Sequence, residues 1–202
     1  MPAADVSVNA WFVYAGVTIN GVAWSEFNVD APGTFTAAAT DFGMFYQWGI
    51  KVGWSATDPA ADVAIDGWNS DNTGAEDDVW TTANDPCPTG WRLPTKDEQA
   101  TLVDNDPNTG KVFYEWIDEG VKGGKFTDKT GGSTNGNTIF FPAAGGRNGG
   151  DGALIAQGIG GVYCPATSGS AYYAWCLDFR SGYAGQANYG RSYGLTVRCV
   201  RP

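Results

Sequence analysis

The fold of this chain is organised by a strand pattern that reads Ala171-Tyr172-Tyr173-Ala174-Trp175-Cys176-Leu177-Asp178-Phe179-Arg180. Alternate residues of a strand point to opposite faces. One face carries Tyr173, Trp175, Leu177 and Phe179, and the other carries Tyr172, Ala174, Cys176, Asp178 and Arg180. Because the first set is aromatic and aliphatic, we expect its face to be core and the second face to be open.

The segment that follows this strand has the composition of a binding surface. Residues 181–193 are dominated by Tyr, Ser, Gly and Asn, and six of the nine tyrosines of the chain lie between Tyr163 and Tyr193. Antibody paratopes use the same residues, because Tyr supplies rigid contact area and the others supply adaptable hydrogen bonds. A glycine-rich surface loop whose tyrosines pack back onto a sheet has this composition too. The tyrosine cluster favours the binding surface.

Length and composition favour one β-rich domain. The chain has 202 residues, with 29 Gly, 10 Pro and 28 aromatic residues, and few long helical patterns. A chain of this length can bury a sizeable core, and this composition is typical of short strands joined by turns. We therefore expect a single domain over residues 1–202.

The charge distribution argues against two classes of partner. Residues 1–86 carry 12 acidic residues against the single base Lys51, a net charge of −11, so the rest of the chain is close to neutral and the whole chain has −10. Phosphate binding needs Lys and Arg concentrated on one face, so we expect no nucleic-acid partner. No run of about 18 apolar residues exists, so we expect no membrane insertion.

The four cysteines allow three pairings if all are oxidised. We predict a disulfide between Cys87, in a stiff Pro-Cys-Pro segment, and Cys199, in the closing strand. Cys164 and Cys176 flank a turn, and they either pair across a hairpin or stay free. Because residues 1–5 lack a basic start followed by an apolar stretch, we expect no secretion signal in this sequence.

Three other segments have clear local signals. Asn20-Gly21 predicts a hairpin turn, and Thr95 with Glu98 predicts a capped helix over about 96–103. Residues from about 52 to 84 form an acidic, Gly- and Asp-rich insertion in which Trp54, Trp68 and Trp80 are the large apolar anchors. We expect local turns there, because a long structureless loop is unusual in a compact domain.

A weak calcium-loop pattern occurs after the predicted helix. Asp104, Asp106, Asn108 and Glu115 fall at positions one, three, five and twelve of that pattern. Gly110 is one place late and Pro107 interrupts it, which favours a plain helix-ending loop. With no His in the chain and no Cys-x-x-Cys spacing, we predict no metal site and no cofactor.

Three motifs carry a resemblance to a known family. They read Asn84-Asp85-Pro86-Cys87-Pro88-Thr89-Gly90-Trp91-Arg92-Leu93-Pro94-Thr95, Phe141-Pro142-Ala143-Ala144-Gly145-Gly146-Arg147 and Gly194-Leu195-Thr196-Val197-Arg198-Cys199-Val200-Arg201. In them the chain resembles the Fibrobacter succinogenes major paralogous domain family, which is common in gut Bacteroidetes. The resemblance implies an α+β class with a C-type lectin-like fold: an antiparallel β core, one or two short helices and long loops.

Members of this kind are also similar to the variable proteins of diversity-generating retroelements. In these proteins the C-terminal segment is hypermutated at adenines, here over about residues 163–193, and a mutated AAC codon never gives Trp or Gln. The resemblance therefore implies that Trp175 and Gln186 are constant. The ligand-binding residues that it implies are Tyr172, Ala174, Cys176, Asp178, Arg180, Ser181, Gly182, Tyr183, Gly185, Asn188, Tyr189, Gly190, Ser192 and Tyr193.

The resemblance and the composition together predict a binding protein without catalytic residues. Its diversified C-terminal surface would meet a protein or glycan receptor on another cell or virus, from an extracellular, cell-surface or virion location. One alternative is a structural or adhesive subunit of a fimbria. The other is a formylglycine-generating-type oxidase that uses Cys164 and Cys176, although no His, and no Lys near either thiol, would activate them.

Overall fold

The structure is a computed structural model that describes residues 16–60, 63–76, 78–106, 108–131 and 136–202. Strand makes up 39% of it and helix 6%. Its described residues contain one α-helix, α1 (Lys96–Leu102), and a 3-10 turn at Thr82–Asn84. The expected α+β class with a C-type lectin-like fold is therefore wrong, and the protein is mostly β. Apart from α1, the segments between strands are turns and Gly- and Asp-rich loops, which do not favour helix.

The strands of the described residues, numbered in chain order, are β1 (Val17–Ile19), β2 (Val22–Asn28), β3 (Phe45–Gln47), β4 (Gly53–Trp54), β5 (Val112–Ile117), β6 (Gly123–Asp128), β7 (Thr138–Pro142), β8 (Gly146–Arg147), β9 (Leu154–Ile155), β10 (Gly160–Tyr163), β11 (Tyr173–Arg180), β12 (Tyr183–Gly190), β13 (Gly194–Thr196) and β14 (Arg198–Val200).

The largest sheet contains the strand pattern that organises the sequence. Its order is β12-β11-β10-β13-β3-β4, with β8 beside β13 and β9 beside β8. The antiparallel β11–β12 hairpin lies at one edge, and β11 pairs antiparallel with β10 on its other side. β10 runs parallel to β13 through Tyr163 and Thr196. The hairpin is therefore tied to the closing strands of the chain.

Two three-stranded sheets complete the described fold. One has the order β1-β2-β14 and the other β5-β6-β7. The predicted hairpin turn between β1 and β2 is confirmed, with φ of 45° at Asn20 and 84° at Gly21. Asn and Gly are the residues that adopt this left-handed conformation most readily. The terminal strand β14 is held by pairing with β2 and by the predicted Cys87–Cys199 disulfide, which the structure contains.

Helix α1 begins where the capping box predicts. The Thr95 hydroxyl accepts a hydrogen bond from the Glu98 backbone N–H, and the Glu98 carboxylate accepts one from the Thr95 N–H. Gln99, on the buried side, donates from Nε2 to the Tyr163 carbonyl at 2.9 Å and accepts from the Leu177 N–H at 3.0 Å. The Gln99 amide thus satisfies backbone groups of β10 and β11 and fixes α1 against the hairpin.

Strand β11 separates two parts of the core. Leu177 and Phe179 pack on one side in an aromatic cluster with Phe126, Phe141 and Tyr163, whose ring centroids lie 5.0–6.3 Å from their neighbours. On the other side, Ala174 and Cys176 belong to a second cluster that includes Trp48, Trp80 and Leu195. The middle of β11 is therefore buried on both faces.

The acidic insertion is anchored by its tryptophans, as its sequence predicts. The Trp54 and Trp68 rings lie 5.3 Å apart, and Trp80, which is 5% exposed, lies 6.0 Å from Trp48. These contacts bring an acidic, turn-rich segment back onto the largest sheet.

Candidate ligand-binding surface

The β11–β12 hairpin has two faces that the strand register defines. The front face consists of Ala174, Cys176, Asp178 and Arg180 of β11 with their partners Tyr189, Ala187, Gly185 and Tyr183 of β12. The back face consists of Tyr173, Trp175, Leu177 and Phe179 with Gly190, Asn188, Gln186 and Ala184. The strands are joined at Ser181-Gly182, where Gly182 has a φ of 74° that a residue with a Cβ rarely adopts.

The back face packs against helix α1 and the aromatic core. Leu177 and Phe179 are fully buried, as predicted. Trp175 is half-buried under the Lys96 ammonium, 3.7 Å from its ring centroid, and Gln186 Nε2 donates to the Lys96 carbonyl at 2.7 Å. Tyr173 is the exception, because it lies at the strand start and is 50% exposed.

The prediction that the front face is open is wrong at three positions. Ala174, Cys176 and Asp178 are 1%, 0% and 8% exposed. The acidic insertion lies beside the start of β11, where Gly74 N–H donates to the Ala171 carbonyl and Val79 bridges Thr167. Asp178, further along the strand, is buried in the wall of a cavity that Gly145 and Val162 also line. Ala174 and Cys176 then join the core cluster of Trp80. We call this the covered end of the front face.

Arg191 holds the insertion in that position. It is 2% exposed, its Nη1 lies 3.1 Å from the Asp78 carboxylate, and its Nη2 donates to the Ala75 carbonyl at 2.9 Å. Its guanidinium also lies 4.2 Å from the centroid of Trp48. Sequence analysis missed this role, because Arg191 lies in a Gly- and Tyr-rich segment that looks like a solvated loop.

The other end of the front face is open. Arg180, Ser181, Gly182 and Tyr183 are exposed and Gly185 is half-buried at the tip of the hairpin. Tyr189, although it pairs with Ala174, and Tyr193 are half-buried and line the same cavity as Arg180. We call these seven residues the open end. The Arg180 guanidinium lies 4.9 Å from the Tyr183 ring centroid, and the Tyr189 and Tyr193 rings meet edge to face at 6.0 Å. Aromatic rings and a guanidinium ordered in this way provide contact area with little entropy to lose on binding.

The remaining predicted residues do not join the open end. Asn188 is exposed but lies on the back face opposite Trp175, and Gly190 lies on that face opposite Tyr173. Tyr172 is 63% exposed, before the first residue of β11. Ser192 is half-buried in the turn between β12 and β13. The structure therefore brings together about half of the predicted surface.

A cavity of about 160 Å³ opens beside the open end. Its walls come from the β8–β9 region, through Gly145, Gly146, Ile155 and Ala156, and from Ile159, Gly160, Val162, Tyr189, Tyr193 and Leu195. Asp178 and Arg180 also line it. Ile155 and Ile159 are 36% and 68% exposed and add apolar surface at the cavity. This wall was not predicted, because residues 143–161 are glycine-rich and such a composition is typical of turns.

Asp178 is a carboxylate in mostly apolar surroundings. Desolvation raises its pKa, while the Arg180 charge and a hydrogen bond donated by the Tyr189 hydroxyl lower it and only partly offset the burial. Arg180 Nη1 lies 3.8 Å from Asp178 Oδ2, which is longer than a hydrogen bond. A carboxylate has about four acceptor positions, so Asp178 keeps acceptor capacity toward the cavity.

The two remaining cysteines are free and buried. They adjoin each other, and burial together with the neighbouring Cys164 raises the pKa of Cys176 well above its ordinary value. An activated nucleophilic cysteine needs the opposite shift, a lowered pKa in an electropositive and partly exposed site. Cys176 is a core residue here and not part of the displayed surface, which corrects its predicted role.

The residues of the calcium-loop pattern have other partners in the structure. The Asp106 carboxylate accepts hydrogen bonds from the N–H groups of Asn108 and Thr109 at 2.9 and 2.8 Å, and Glu115 pairs with Lys125 across β5 and β6. Within the described ranges, no group of three or more His, Cys, Asp or Glu residues could hold a metal ion. No helix in the described chain has the length and hydropathy to span a membrane.

No family model matches this sequence, and comparisons with curated proteins and with solved structures give no similar protein.

Proposed function

We propose that this protein is a binding protein whose front surface, at the open end of the β11–β12 hairpin, meets a protein or glycan receptor on another cell or virus. No catalysis is part of this proposal. The observation that carries it is the combination of ordered, exposed Tyr and Arg side chains with an adjoining apolar cavity. Exposed apolar surface next to a cavity in a soluble protein is typical of interaction sites.

The scaffold behind the open end supports this function. Leu177 and Phe179 anchor β11 in the aromatic core, and Gln99 hydrogen-bonds to the same strand from α1. A hairpin held in this way loses little freedom when a ligand binds, which preserves affinity. The Cys87–Cys199 disulfide is compatible with the extracellular, cell-surface or virion location that we propose.

We further propose that the open end is diversified, on the resemblance to variable proteins of diversity-generating retroelements. The fold limits where such changes are tolerated. Substitutions at Arg180 and Tyr183 reach solvent, whereas Cys176 is buried and Trp175 and Gln186 contact Lys96. Sequences of this locus from related strains should therefore differ mainly at the open end. Differences spread evenly over the chain would count against diversification.

A paired set of surface variants tests the binding function. The front variant carries Arg180→Ser and Tyr183→Ser, and the control carries Lys111→Ser and Phe113→Ser, an equally exposed cation and aromatic residue on β5 and just before it. Wild type and both variants are applied to arrays of purified cell-surface proteins and glycans. We expect any ligand bound by wild type to be lost by the front variant, by at least about tenfold in Kd, and kept by the control.

The opposite pattern would refute the proposed surface. If the front variant keeps the ligands of the wild type and the control variant loses them, the binding site lies elsewhere on the protein. Thermal unfolding checks that both variants fold. Substitutions at exposed positions leave stability nearly unchanged, so the Tm of each variant should be close to that of wild type.

A further inference from the structure

The cavity beside the open end combines an apolar wall with a single acidic group. Ile155, Ile159 and Val162 supply aliphatic surface, and Asp178 supplies a carboxylate that is 8% exposed. Its hydrogen-bond donor in the described chain is the Tyr189 hydroxyl. Arg180 Nη1 is a second neighbour, at 3.8 Å from Oδ2. Because a carboxylate has about four acceptor positions, a ligand that brings further donors can bind to it.

The size of the cavity limits what can enter it. At about 160 Å³ it is close to the cavity of about 150 Å³ that holds one benzene molecule, which has six carbon atoms. A single side chain of five or six heavy atoms fits this space, whereas a sugar ring with its hydroxyls is larger and would place polar groups on the aliphatic wall. The cavity therefore fits one extended, largely apolar side chain.

The charge of the site and of the protein selects the end group of that side chain. An ammonium group donates up to three hydrogen bonds and forms charge-assisted bonds to a carboxylate. The chain has a formal net charge of −10, which attracts cationic partners. Lysine has four methylene groups for the aliphatic wall and one ammonium for the carboxylate, so it matches both parts of the cavity.

Arg180 does not already fill this role. Its Nη1 lies 3.8 Å from the carboxylate, its guanidinium lies over Tyr183, and its side chain is 60% exposed. Because it is at the rim and reaches solvent, Arg180 can turn away when another cation enters. It then competes weakly with that cation.

We propose that the Asp178 cavity is a subsite for a lysine side chain of a protein ligand, with the methylene groups against Ile155 and Ile159 and the ammonium on the Asp178 carboxylate. The identity of the ligand as a protein depends on the function proposed above. The preference of the cavity for an alkylammonium group is independent of that function. This preference is a property of the isolated chain and can be measured without a receptor.

In the test, n-butylammonium chloride is titrated into the isotope-labelled full chain at constant ionic strength. Binding is detected by NMR. We expect saturable shifts of the Ile155 and Ile159 methyl signals, with a Kd on the order of millimolar for five heavy atoms. The neutral analogue n-butanol should bind at least about tenfold more weakly, and butyrate more weakly still. Equal binding of butanol, or no saturable shift with butylammonium, would overturn the proposal.

Three variants separate the cavity from the general acidity of the chain. Asp178→Asn should abolish the preference for butylammonium over butanol, whereas Asp66→Asn, which removes one exposed acid elsewhere, should preserve it. Arg180→Ser should strengthen butylammonium binding by about two- to fivefold, because a competing cation is removed. If Asp66→Asn and Asp178→Asn have equal effects, the binding is non-specific charge attraction and the proposal fails.

The outcomes also separate this inference from the proposed function. In one outcome, the front variant loses array binding while butylammonium shows no saturable site. This result would support the proposed binding surface and refute the lysine subsite. Alternatively, butylammonium binds to the cavity but array binding depends on Lys111 and Phe113. The cavity would then be an alkylammonium site that lies outside the receptor contact.

Discussion

The two ends of the front face differ in what lies over them. At the covered end, Ala174 and Cys176 are buried, and Arg191 holds the acidic insertion beside them. At the open end, Arg180 and Tyr183 are exposed next to the Asp178 cavity. The same strand, with the same alternation of residues, therefore provides core at one end and a candidate binding surface at the other.

This difference shows that strand periodicity sorts residues between faces but does not decide which face meets solvent. A small residue such as Ala174 or Cys176 is compatible with either environment. Burial is decided by the distant segments that pack on the strand, which here include Trp80 of the acidic insertion and Leu195 of β13. The predictions below test whether the two ends differ for this reason.

The largest effect is expected from placing a charge at the covered end. Cys176→Arg would bury a guanidinium among Trp80, Leu195 and other core side chains, so it should lower the free energy of unfolding by more than about 3 kcal/mol or prevent folding. Arg180→Ser, at the open end, should change it by less than about 0.5 kcal/mol. Urea unfolding measures both.

Cys176→Ser keeps this comparison interpretable if the arginine variant does not fold. A buried hydroxyl without a partner should cost about 1–3 kcal/mol. A Cys176→Arg protein with the stability of wild type would mean that position 176 is open, and the contrast between the two ends would be lost.

A smaller effect is expected from releasing the cover. Arg191→Ala removes the bonds to Asp78 and to the Ala75 carbonyl, and should cost about 2 kcal/mol, because the remaining Asp78 carboxylate still reaches solvent. The loosened insertion should expose the Cys176 thiol, so labelling with a maleimide should be at least about tenfold faster at position 176.

Arg180→Ala is the matched control for this release, since it removes the same charge from an exposed position. Its labelling rate at Cys176, identified by peptide mass, should equal that of wild type. If Arg191→Ala also labels at the rate of wild type, the insertion is not held by Arg191.

The smallest effect concerns the floor of the cavity. Burial raises the pKa of Asp178 above the unfolded value of about 3.9. The folded protein therefore favours the protonated form of Asp178. Ionisation of this carboxyl lowers the free energy of unfolding, and the loss is absent below the unfolded pKa and complete above the folded pKa. Asp178→Asn removes this penalty, so its Tm relative to wild type should rise between pH 4 and 7 and show no gain at pH 3.

Asp66→Asn should give a Tm difference that is flat over the same range, because this residue is exposed. An Asp178→Asn protein that is less stable than wild type at pH 7 would mean that Tyr189 and Arg180 stabilise the ionised carboxylate by more than burial costs it.

Several local features of the fold could be predicted because each depends on neighbouring residues. The Asn20-Gly21 turn needs two residues that tolerate positive φ, and the start of α1 needs the Thr95 hydroxyl and the Glu98 carboxylate three residues later. The Cys87–Cys199 pairing was also predicted, from the stiffness of one segment and the position of the other at the end of the chain.

The candidate site could be predicted only in part. The alternation placed Arg180 on the same face as Asp178, and the composition indicated a surface over residues 181–193. The pairing of Tyr183 with Arg180 follows from the strand register of the structure. The expected fold class was wrong, since the loops between strands are turns and not helices. The roles of Gln99 and Arg191 could not be read from the sequence, because their partners lie more than sixty residues away.

The sequence by itself determined the alternation of strand β11, the Asn20-Gly21 turn and the cap of α1. These follow from steric preferences and hydrogen bonds between residues close in the chain. The tertiary structure alone decided that Cys176 is core, that Asp178 is the floor of a cavity and that Arg180 and Tyr183 remain exposed. Those outcomes depend on which distant segment excludes water from each position, and exclusion of water is a property of the packed molecule.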